Sequence, residues 1–559
     1  MTRWNILPSS PDTAVKLGKL LNINPIVAQI ILNRGINSIS KAKEFIGRQE
    51  TDTTQTFCKE SLQKLYDLIQ DCIHHQKPIL LYGDYDVDGM TSTALMINSL
   101  KKMGGIVHYI IPSRFTDGYG LNSRLIQTLQ DQNIGLLITL DCGISNYQEI
   151  NLIKQKTSAA VAILDHHTIP DHLPKADVII NPKFLTPDHP LYGLCTVGIV
   201  YHVMNTFYDM SHQTLPKEWL ALVALGTIAD VASLTGINRD YVRQGLFYLS
   251  KTPPLGIQAL LKEAGHQQNL VSIRDIGFVI APRLNASGRL AHAGIGVELL
   301  LSEETEKAEQ IAKKLELLNQ DRRQIDASIF LEAKEKLKNH MDYPIIALSG
   351  HHWHPGVIGI TASKLTEAFK KPTVIITEEG PIARGSARSI GAVNIFSILD
   401  QCSEFFSSFG GHKEAAGFSI DRHHIQNFIH ALYHISKKAI QPDDLIPSLT
   451  IDFELKSNQI SLDLIHELSE LGPFGQHNPE PVFYTDDLIT LQAKTVGNGN
   501  HLKVTFSDKH KNKIFDGIGF NLGHRVSDFY KTHHKIAFHL TCNDWMGKKN
   551  AQLQILDVQ

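Results

Sequence analysis

Eight side chains able to bind metal or move protons fall directly after short apolar runs. Asp84, Asp86 and Asp88 share one glycine-ended loop, Gly83-Asp84-Tyr85-Asp86-Val87-Asp88-Gly89, behind Ile79-Leu80-Leu81-Tyr82. Asp141 follows Leu136-Leu137-Ile138-Thr139-Leu140, and Asp165-His166-His167 follows Ala160-Val161-Ala162-Ile163-Leu164. Asp230 closes Gly226-Thr227-Ile228-Ala229 at the end of an apolar helix. A lone aspartate after a strand is most often a helix N-cap. Acids and imidazoles repeated at successive strand ends point elsewhere, because so many carboxylates at one edge repel each other unless cations neutralise them. Asp and His together suit Mn²⁺ or Mg²⁺, with imidazole shifting the preference toward manganese. Two such ions activate a water and stabilise a leaving oxygen on phosphorus. The chemistry indicated is metal-dependent phosphodiester hydrolysis. The pairs His74-His75, His351-His352 and His533-His534 stand apart from any acid series and read as solvated surface.

Elements that would bring these residues together are visible in the apolar pattern. Runs of four or five apolar residues, with Val178-Ile179-Ile180 ending at Asn181-Pro182 as another, are separated by helical stretches. Buried parallel strands with helices on both faces follow, and ligands of such a sheet bind outside its carboxyl ends. Residues 22–77 read as helices, which extends the catalytic domain over 1–301. A long charged amphipathic helix over 302–340 carries Ile311, Leu315, Leu318, Ile325 and Ile329 on one stripe, interrupted by Arg322, and joins two domains. A smaller α/β domain over 341–440 has strands at Ile345–Leu348 and Thr373–Ile376, with Gly350, Gly356, Gly385, Gly391 and Gly410-Gly411 as turns around a site. Gln441-Pro442-Asp443-Asp444 is a linker. Residues 448–559 alternate in the manner of short strands, as in an OB-fold-like β-barrel.

Composition narrows the class. Hydrophobic residues are 42% and charged residues 20% of the 559, an ordinary globular balance with material for several domains. No apolar run reaches the ~18–20 residues of a membrane span, and Met1-Thr2-Arg3-Trp4-Asn5 lacks a signal-peptide pattern, so a cytoplasmic protein without membrane contact is expected. Six cysteines without a C-x-x-C pair exclude a zinc ribbon or redox dithiol. Net charge is −3, yet residues 484–559 carry ten Lys and Arg against seven Asp and Glu, a local +3. Tyr484, Phe506, Phe515, Phe520, Phe529, Tyr530 and Trp545 are interleaved with them. Aromatics in a basic groove hold single-stranded nucleic acid. Most of these rings should fill the barrel, with Trp545 the best candidate for an exposed one.

GDYDVDG at 83–89, LDCGIS at 140–145, LDHH at 164–167 and GTIADVASL at 226–234 resemble the four motifs of the DHH phosphoesterase family, in family order. The resemblance is closest to its RecJ-like members, exonucleases of single-stranded DNA. It continues through Pro112-Ser113-Arg114-Phe115, Asp117-Gly118-Tyr119-Gly120, Ala281-Pro282-Arg283-Leu284-Asn285-Ala286-Ser287-Gly288-Arg289 and Trp353-His354-Pro355-Gly356. It also includes Gly385-Ser386-Ala387-Arg388, Gly410-Gly411-His412 and Gly472-Pro473-Phe474-Gly475. The resemblance implies Asp84, Asp86, Asp141, His166 and Asp230 as ligands of two Mn²⁺ or Mg²⁺ ions, and His167 as a further metal residue at the second ion, near the scissile phosphate. It implies Asp165 as the partner of an imidazole, and Asp88 as either a ligand or a loop stabiliser. Leu80 stands where some small-substrate relatives carry a histidine ligand, which leaves the second ion short of one protein ligand. The 341–440 domain resembles the DHH-associated substrate-binding domain.

By the same resemblance Ser386 and Arg388, with Arg114, hold a terminal 5′ phosphate; Arg283, Arg289 and His412 are candidate contacts to the scissile phosphate, with a structural salt bridge as the alternative reading for each arginine, equally balanced for Arg283 and Arg289. The implied activity is 5′-to-3′ hydrolysis of single-stranded DNA to mononucleotides, in repair and recombination. A monomer, and partners such as single-strand-binding protein or a helicase, come with the family. Two other readings are a DHH phosphodiesterase of short oligonucleotides or cyclic dinucleotides, and a non-catalytic scaffold like the helicase-associated eukaryotic relative. The first needs neither the long helix nor the OB-like domain, and the second would be expected to have lost motif acids that this chain retains.

Overall fold

The structure, a computed structural model, describes residues 2–49, 56–113, 121, 124–266, 270–338, 342–509, 512–530, 534–545 and 547–559, without the side chains of Arg124 and Trp545. The chain forms two compact units, Thr53–Ile446, and Met1–Asp52 with Pro447–Gln559.

In the larger unit a five-stranded parallel sheet runs in the order Val107–Ile110, Ile79–Gly83, Leu136–Leu140, Ala160–Leu164, Val178–Ile180. The central strands are apolar throughout because helices cover both faces. Val107–Ile110 was not expected: VHYI is a half-exposed edge strand without a continuous apolar run. Register decides the site. Gly83 pairs with Leu140, and Leu140 with Leu164, so Asp84, Asp141 and Asp165 leave the sheet at one level. Their amides extend the ladder, donating to Leu140 O, Leu164 O and Ile180 O at 3.1, 3.1 and 3.2 Å. Strand order reverses between Ile79–Gly83 and Leu136–Leu140, which opens a crevice at the carboxyl edge. Helices Val87–Lys102, Thr196–Met210 and Leu220–Ala229 pack against one another beside that crevice. Gly226 permits the close approach, since a Cβ there would lie 2.5 Å from Thr91 Oγ1 and 2.7 Å from Val197 Cγ1.

The long helix spans Thr305–Leu337. It packs on Leu255–Glu263 and Ala281–Leu290, and on Ile358–Phe369 and Ile346–Gly350. Ile311, Leu315 and Ile329 of the expected stripe are buried. A second five-stranded sheet follows, ordered Phe406–His412, Ala415–Asp421, Ile382–Arg388, Thr373–Thr377, Ile346–Gly350. Only its last pair is parallel. Gly385 and Gly410-Gly411, read as turns from sequence, lie inside strands. At Gly385 the reason is packing, because a Cβ would meet the ring of its cross-strand partner Phe418 at 2.1 Å.

The smaller unit corrects the expected place of the N-terminal helices. Pro11–Leu21, Pro25–Asn33 and Ile39–Phe45 fold with the C-terminal strands and not with the catalytic sheet. Pro25–Asn33 is apolar on nearly every side, and Ile26, Ile30 and Ile31 share a core with Leu464, Phe483 and Phe538. Such a helix must be covered, but its own sequence does not say by what. Arg3–Ile6 pairs in parallel with Ser448–Ile451. Seven strands form the main sheet, ordered Phe453–Glu454, Phe483–Thr485, Ile536–Trp545, Lys548–Val558, Ile514–Gly519, His501–Asp508, Leu488–Val496. Phe506 and Phe515 are buried in it and Phe529 is buried in the same core from the turn Gly523–Tyr530, while Phe520 and Tyr530 are exposed. The side chain of Trp545 lies outside the described residues. No single helix among the described residues is long and apolar enough to cross a membrane.

Arg34 bonds Asp452 Oδ1 at 2.7 Å, with side chains 10% and 4% exposed. Removing one partner of a buried pair costs about 3–5 kcal/mol. Arg34→Ala should therefore lower stability by about that amount in urea unfolding followed on the smaller unit, and an unchanged midpoint would show that the joint contributes nothing.

Candidate metal centre and substrate pocket

Each motif places its acid by a local device. Asp86 N-caps Val87–Lys102, its Oδ1 accepting from Gly89 N at 3.0 Å, so this aspartate is a cap as well as a neighbour of Asp84. Gly89 must be glycine, because a Cβ would lie 2.4 Å from Asp84 O. Asp88, in the first turn, is buried and accepts from Thr196 N at 2.7 Å and Val197 N at 2.9 Å. Both of its oxygens hold the N-terminus of Thr196–Met210, while Oδ2 also lies 3.9 Å from His166 Nε2. Asp141 adopts a left-handed backbone, φ 66°, as the chain turns off its strand.

His166 is the centre of the cluster. Its Nε2 is buried, without a hydrogen-bond partner among the described residues, and lies 3.2 Å from Asp141 Oδ1, 3.8 Å from Asp230 Oδ2 and 3.9 Å from Asp88 Oδ2. Burial, and then the charge of His167, push His166 down to about 3, so the ring is neutral and these contacts are not ion pairs. A neutral imidazole nitrogen aimed among carboxylates is the donor set of a divalent cation. His167 behaves oppositely. Burial opposes its charge, but the 2.7 Å bond to Asp165 Oδ1 outweighs that and raises it to about 9. Asp165 is held low despite burial by His167 and by the amide of Ile144, which donates at 3.1 Å. Burial, followed by Asp88 and Asp86, raises Asp230 to about 8. Burial and four neighbouring aspartates, Asp88 first, push Asp141 well above the usual carboxylate range.

Among the described residues three groups bring ligand atoms within 4.8 Å of one another: Asp84, Asp86 and Asp141; Asp141, His166 and His167; Asp88, His166 and Asp230. Asp141 and His166 each belong to two of them. Leu80 is buried in its strand and adds no ligand. Two supporting residues were not singled out from sequence. Asn181 donates from Nδ2 to His167 O at 2.9 Å, and it follows a strand as the acids do, so the same rule would have found it. Thr196 carries no such signal.

On the second sheet Arg388 Nη1 donates to Ser386 Oγ at 3.2 Å. A Cβ on Gly359, in the first turn of Ile358–Phe369, would lie 3.0 Å from Arg388 Nη2 and 3.1 Å from Ser386 Oγ. A helix N-terminus, a hydroxyl and a guanidinium therefore converge, which is anion-binding chemistry. Arg289 Nη1 donates to Gly356 O at 3.0 Å, just ahead of that helix. His412 is exposed at the end of the edge strand. Arg283 takes the salt-bridge alternative. It is buried, bonding Glu316 Oε2 at 2.6 Å and Val279 O at 2.7 Å, and so ties its helix to the long helix. Arg114 lies outside the described residues.

A parallel sheet with this cluster at its carboxyl edge, joined by one long helix to a mixed sheet carrying Ser386 and Arg388, defines a DHH phosphoesterase. Residues 78–227 match the DHH family, N-terminal domain; 332–438 match the DHHA1 domain, and 451–557 the RecJ OB domain. The single-stranded-DNA-specific exonuclease RecJ of Bacillus subtilis is 33% identical over 99% of this chain and 70% of its own length. That of Haemophilus influenzae is 34% identical over 88% and 90%. The crystal structure of RecJ in complex with Mn²⁺ from Thermus thermophilus matches with a TM-score of 0.86 at 26% identity, over 100% of this chain and 79% of that one. The chain belongs to the RecJ family.

The raised carboxyls give a pH signature. A carboxyl near 8 in the fold and about 3.9 unfolded favours the fold when protonated, and that contribution is lost as pH rises through about 8. Divalent cations bind the deprotonated form, so Mn²⁺ should raise the melting temperature, relative to EDTA, more at pH 8 than at pH 6. A larger shift at pH 6 would contradict the raised Asp230.

Proposed function

We propose that this protein is a single-stranded-DNA-specific exonuclease that hydrolyses phosphodiesters from the 5′ end and releases mononucleotides, in DNA repair and recombination. The observation that carries this reading is an acid–imidazole cluster fitted to divalent cations in the same compact unit as a pocket fitted to a terminal phosphate. Two ions, Mn²⁺ or Mg²⁺, supply an activated water and stabilisation of the leaving oxygen. Asp84, Asp86, Asp141, His166 and Asp230 hold them. Asp165 keeps His167 oriented and charged beside them, so that its ring donates to an oxygen of the scissile phosphate. Asp88 holds the loop against Thr196–Met210. Ser386, Arg388 and the amides opening Ile358–Phe369 hold the terminal phosphate, which places the next phosphodiester at the acids. Arg289 and His412 face the chain between.

In the smaller unit Phe520 and Tyr530 offer exposed rings for stacking unpaired bases. A monomeric enzyme in the cytoplasm, with single-strand-binding protein or a helicase as partner, completes the reading on family membership alone.

End-labelled single strands and blunt duplexes, digested with Mn²⁺, test the activity. Mononucleotides should appear first from the 5′ label of the single strand. Asp141→Ala and His166→Ala should each lower the rate by more than about a thousandfold, since both disrupt the two-ion site. Native rates in either variant, or equal rates on duplex, would remove the reading.

The pocket has its own test. A charge-assisted contact contributes roughly 1.5–3 kcal/mol, so Arg388→Ala should weaken use of 5′-phosphorylated strands about tenfold to a hundredfold. The loss should shrink on 5′-hydroxyl strands, where the partner is missing. An equal loss on both substrates would take Arg388 out of the pocket.

A further inference from the structure

Asp141 is shared by two ligand groups, so the direction of its two oxygens sets both. Its backbone turn supplies one constraint. The other is Thr196, a fully buried residue opening a helix that carries none of the four motifs. The Thr196 amide donates to Asp88 Oδ2 at 2.7 Å. Its hydroxyl donates to Asp141 Oδ1 at 2.9 Å. That same oxygen lies 3.2 Å from His166 Nε2. The helix end is held in turn to the fourth motif, where Cys195 Sγ and Thr227 Oγ1 are 3.4 Å apart. Thr196 thus links the acids of the first and second motifs, and its neighbour Cys195 meets the segment leading to Asp230.

We propose that Thr196 is a positioning residue of the metal centre. Its hydroxyl fixes the rotation of the Asp141 carboxylate, so that Oδ1 faces His166 and Oδ2 is left for the group with Asp84 and Asp86. Partners that orient a ligating carboxylate commonly tune metal affinity by about tenfold to a hundredfold. The bond to Asp88 comes from the backbone amide, which every residue except proline retains, so the hydroxyl can be removed while the helix stays anchored. The inference rests on reading these acids as metal ligands.

Calorimetric titration with Mn²⁺ of the full chain and of Thr196→Val and Thr196→Ser separates the two ideas. Valine keeps the shape and loses the donor, and serine keeps the donor. Thr196→Val should weaken Mn²⁺ binding by about tenfold to a hundredfold, and Thr196→Ser should restore it. The Mn²⁺ concentration giving half-maximal cleavage should rise in the valine variant, with KM for single-stranded DNA at saturating Mn²⁺ unchanged. If circular dichroism shows the valine variant unfolded, Thr196→Ala takes its place, since it also lacks the hydroxyl. Unchanged Mn²⁺ affinity in a folded variant without the hydroxyl would overturn the role of Thr196, as would an equal loss in the serine variant. A native protein that binds no Mn²⁺ would remove the metal reading beneath it.

Discussion

Burial of like charges at one sheet edge is the constraint on which the rest of the larger unit depends. Asp84, Asp88, Asp141 and Asp165 are 4%, 1%, 1% and 0% exposed. Desolvated carboxylates at such distances cannot all ionise. The fold relieves part of the conflict with its own groups. Two amides at the positive end of a helix take Asp88, and a charged His167 takes Asp165. Burial and Asp86 still raise Asp88 to about 6 despite those amides, Asp141 and Asp230 remain pushed up, and His166 is driven neutral with its Nε2 among them. What the protein leaves unneutralised is the charge that divalent cations satisfy. Adjacent imidazoles are displaced in opposite directions, His166 toward the neutral form and His167 toward the charged one.

The surrounding architecture serves that concentration of charge. Parallel register brings three strand ends to one level, and the reversal of strand order opens space beyond them. Helix Thr196–Met210 closes the cluster from the side, with Gly226 allowing its neighbour close contact. The long helix carries polar ties as well as its apolar stripe. Glu316 bonds Arg283 from the catalytic part, and Asp326 accepts from Thr361 Oγ1 at 2.8 Å and pairs with Lys364 on the second α/β part. Such buried ties restrict how the two parts can slide, because separating either pair would strand a charge.

Where one signal governs a residue, sequence and structure agree. Ile79–Gly83, Leu136–Leu140, Ala160–Leu164 and Val178–Ile180 are legible because strands buried on both faces must be apolar throughout. Where two physical causes produce the same residue, sequence is ambiguous. Gly385 reads as a turn but makes room for Phe418. Arg283 reads equally as a phosphate contact or a salt-bridge partner, and in the fold it serves a buried carboxylate.

The amino-acid sequence by itself determined the chemistry: which acids and imidazoles occur, that they end strands, and that one long helix joins two α/β parts. These are local properties, written in composition and periodicity along contiguous residues. Tertiary structure alone decided that residues before Asp52 join the C-terminal strands, that Thr196 reaches Asp141, and that Arg283 turns inward. Each depends on contacts between segments far apart in the chain. An apolar helix, a hydroxyl or a guanidinium states what it needs as a partner, but packing selects which partner it meets.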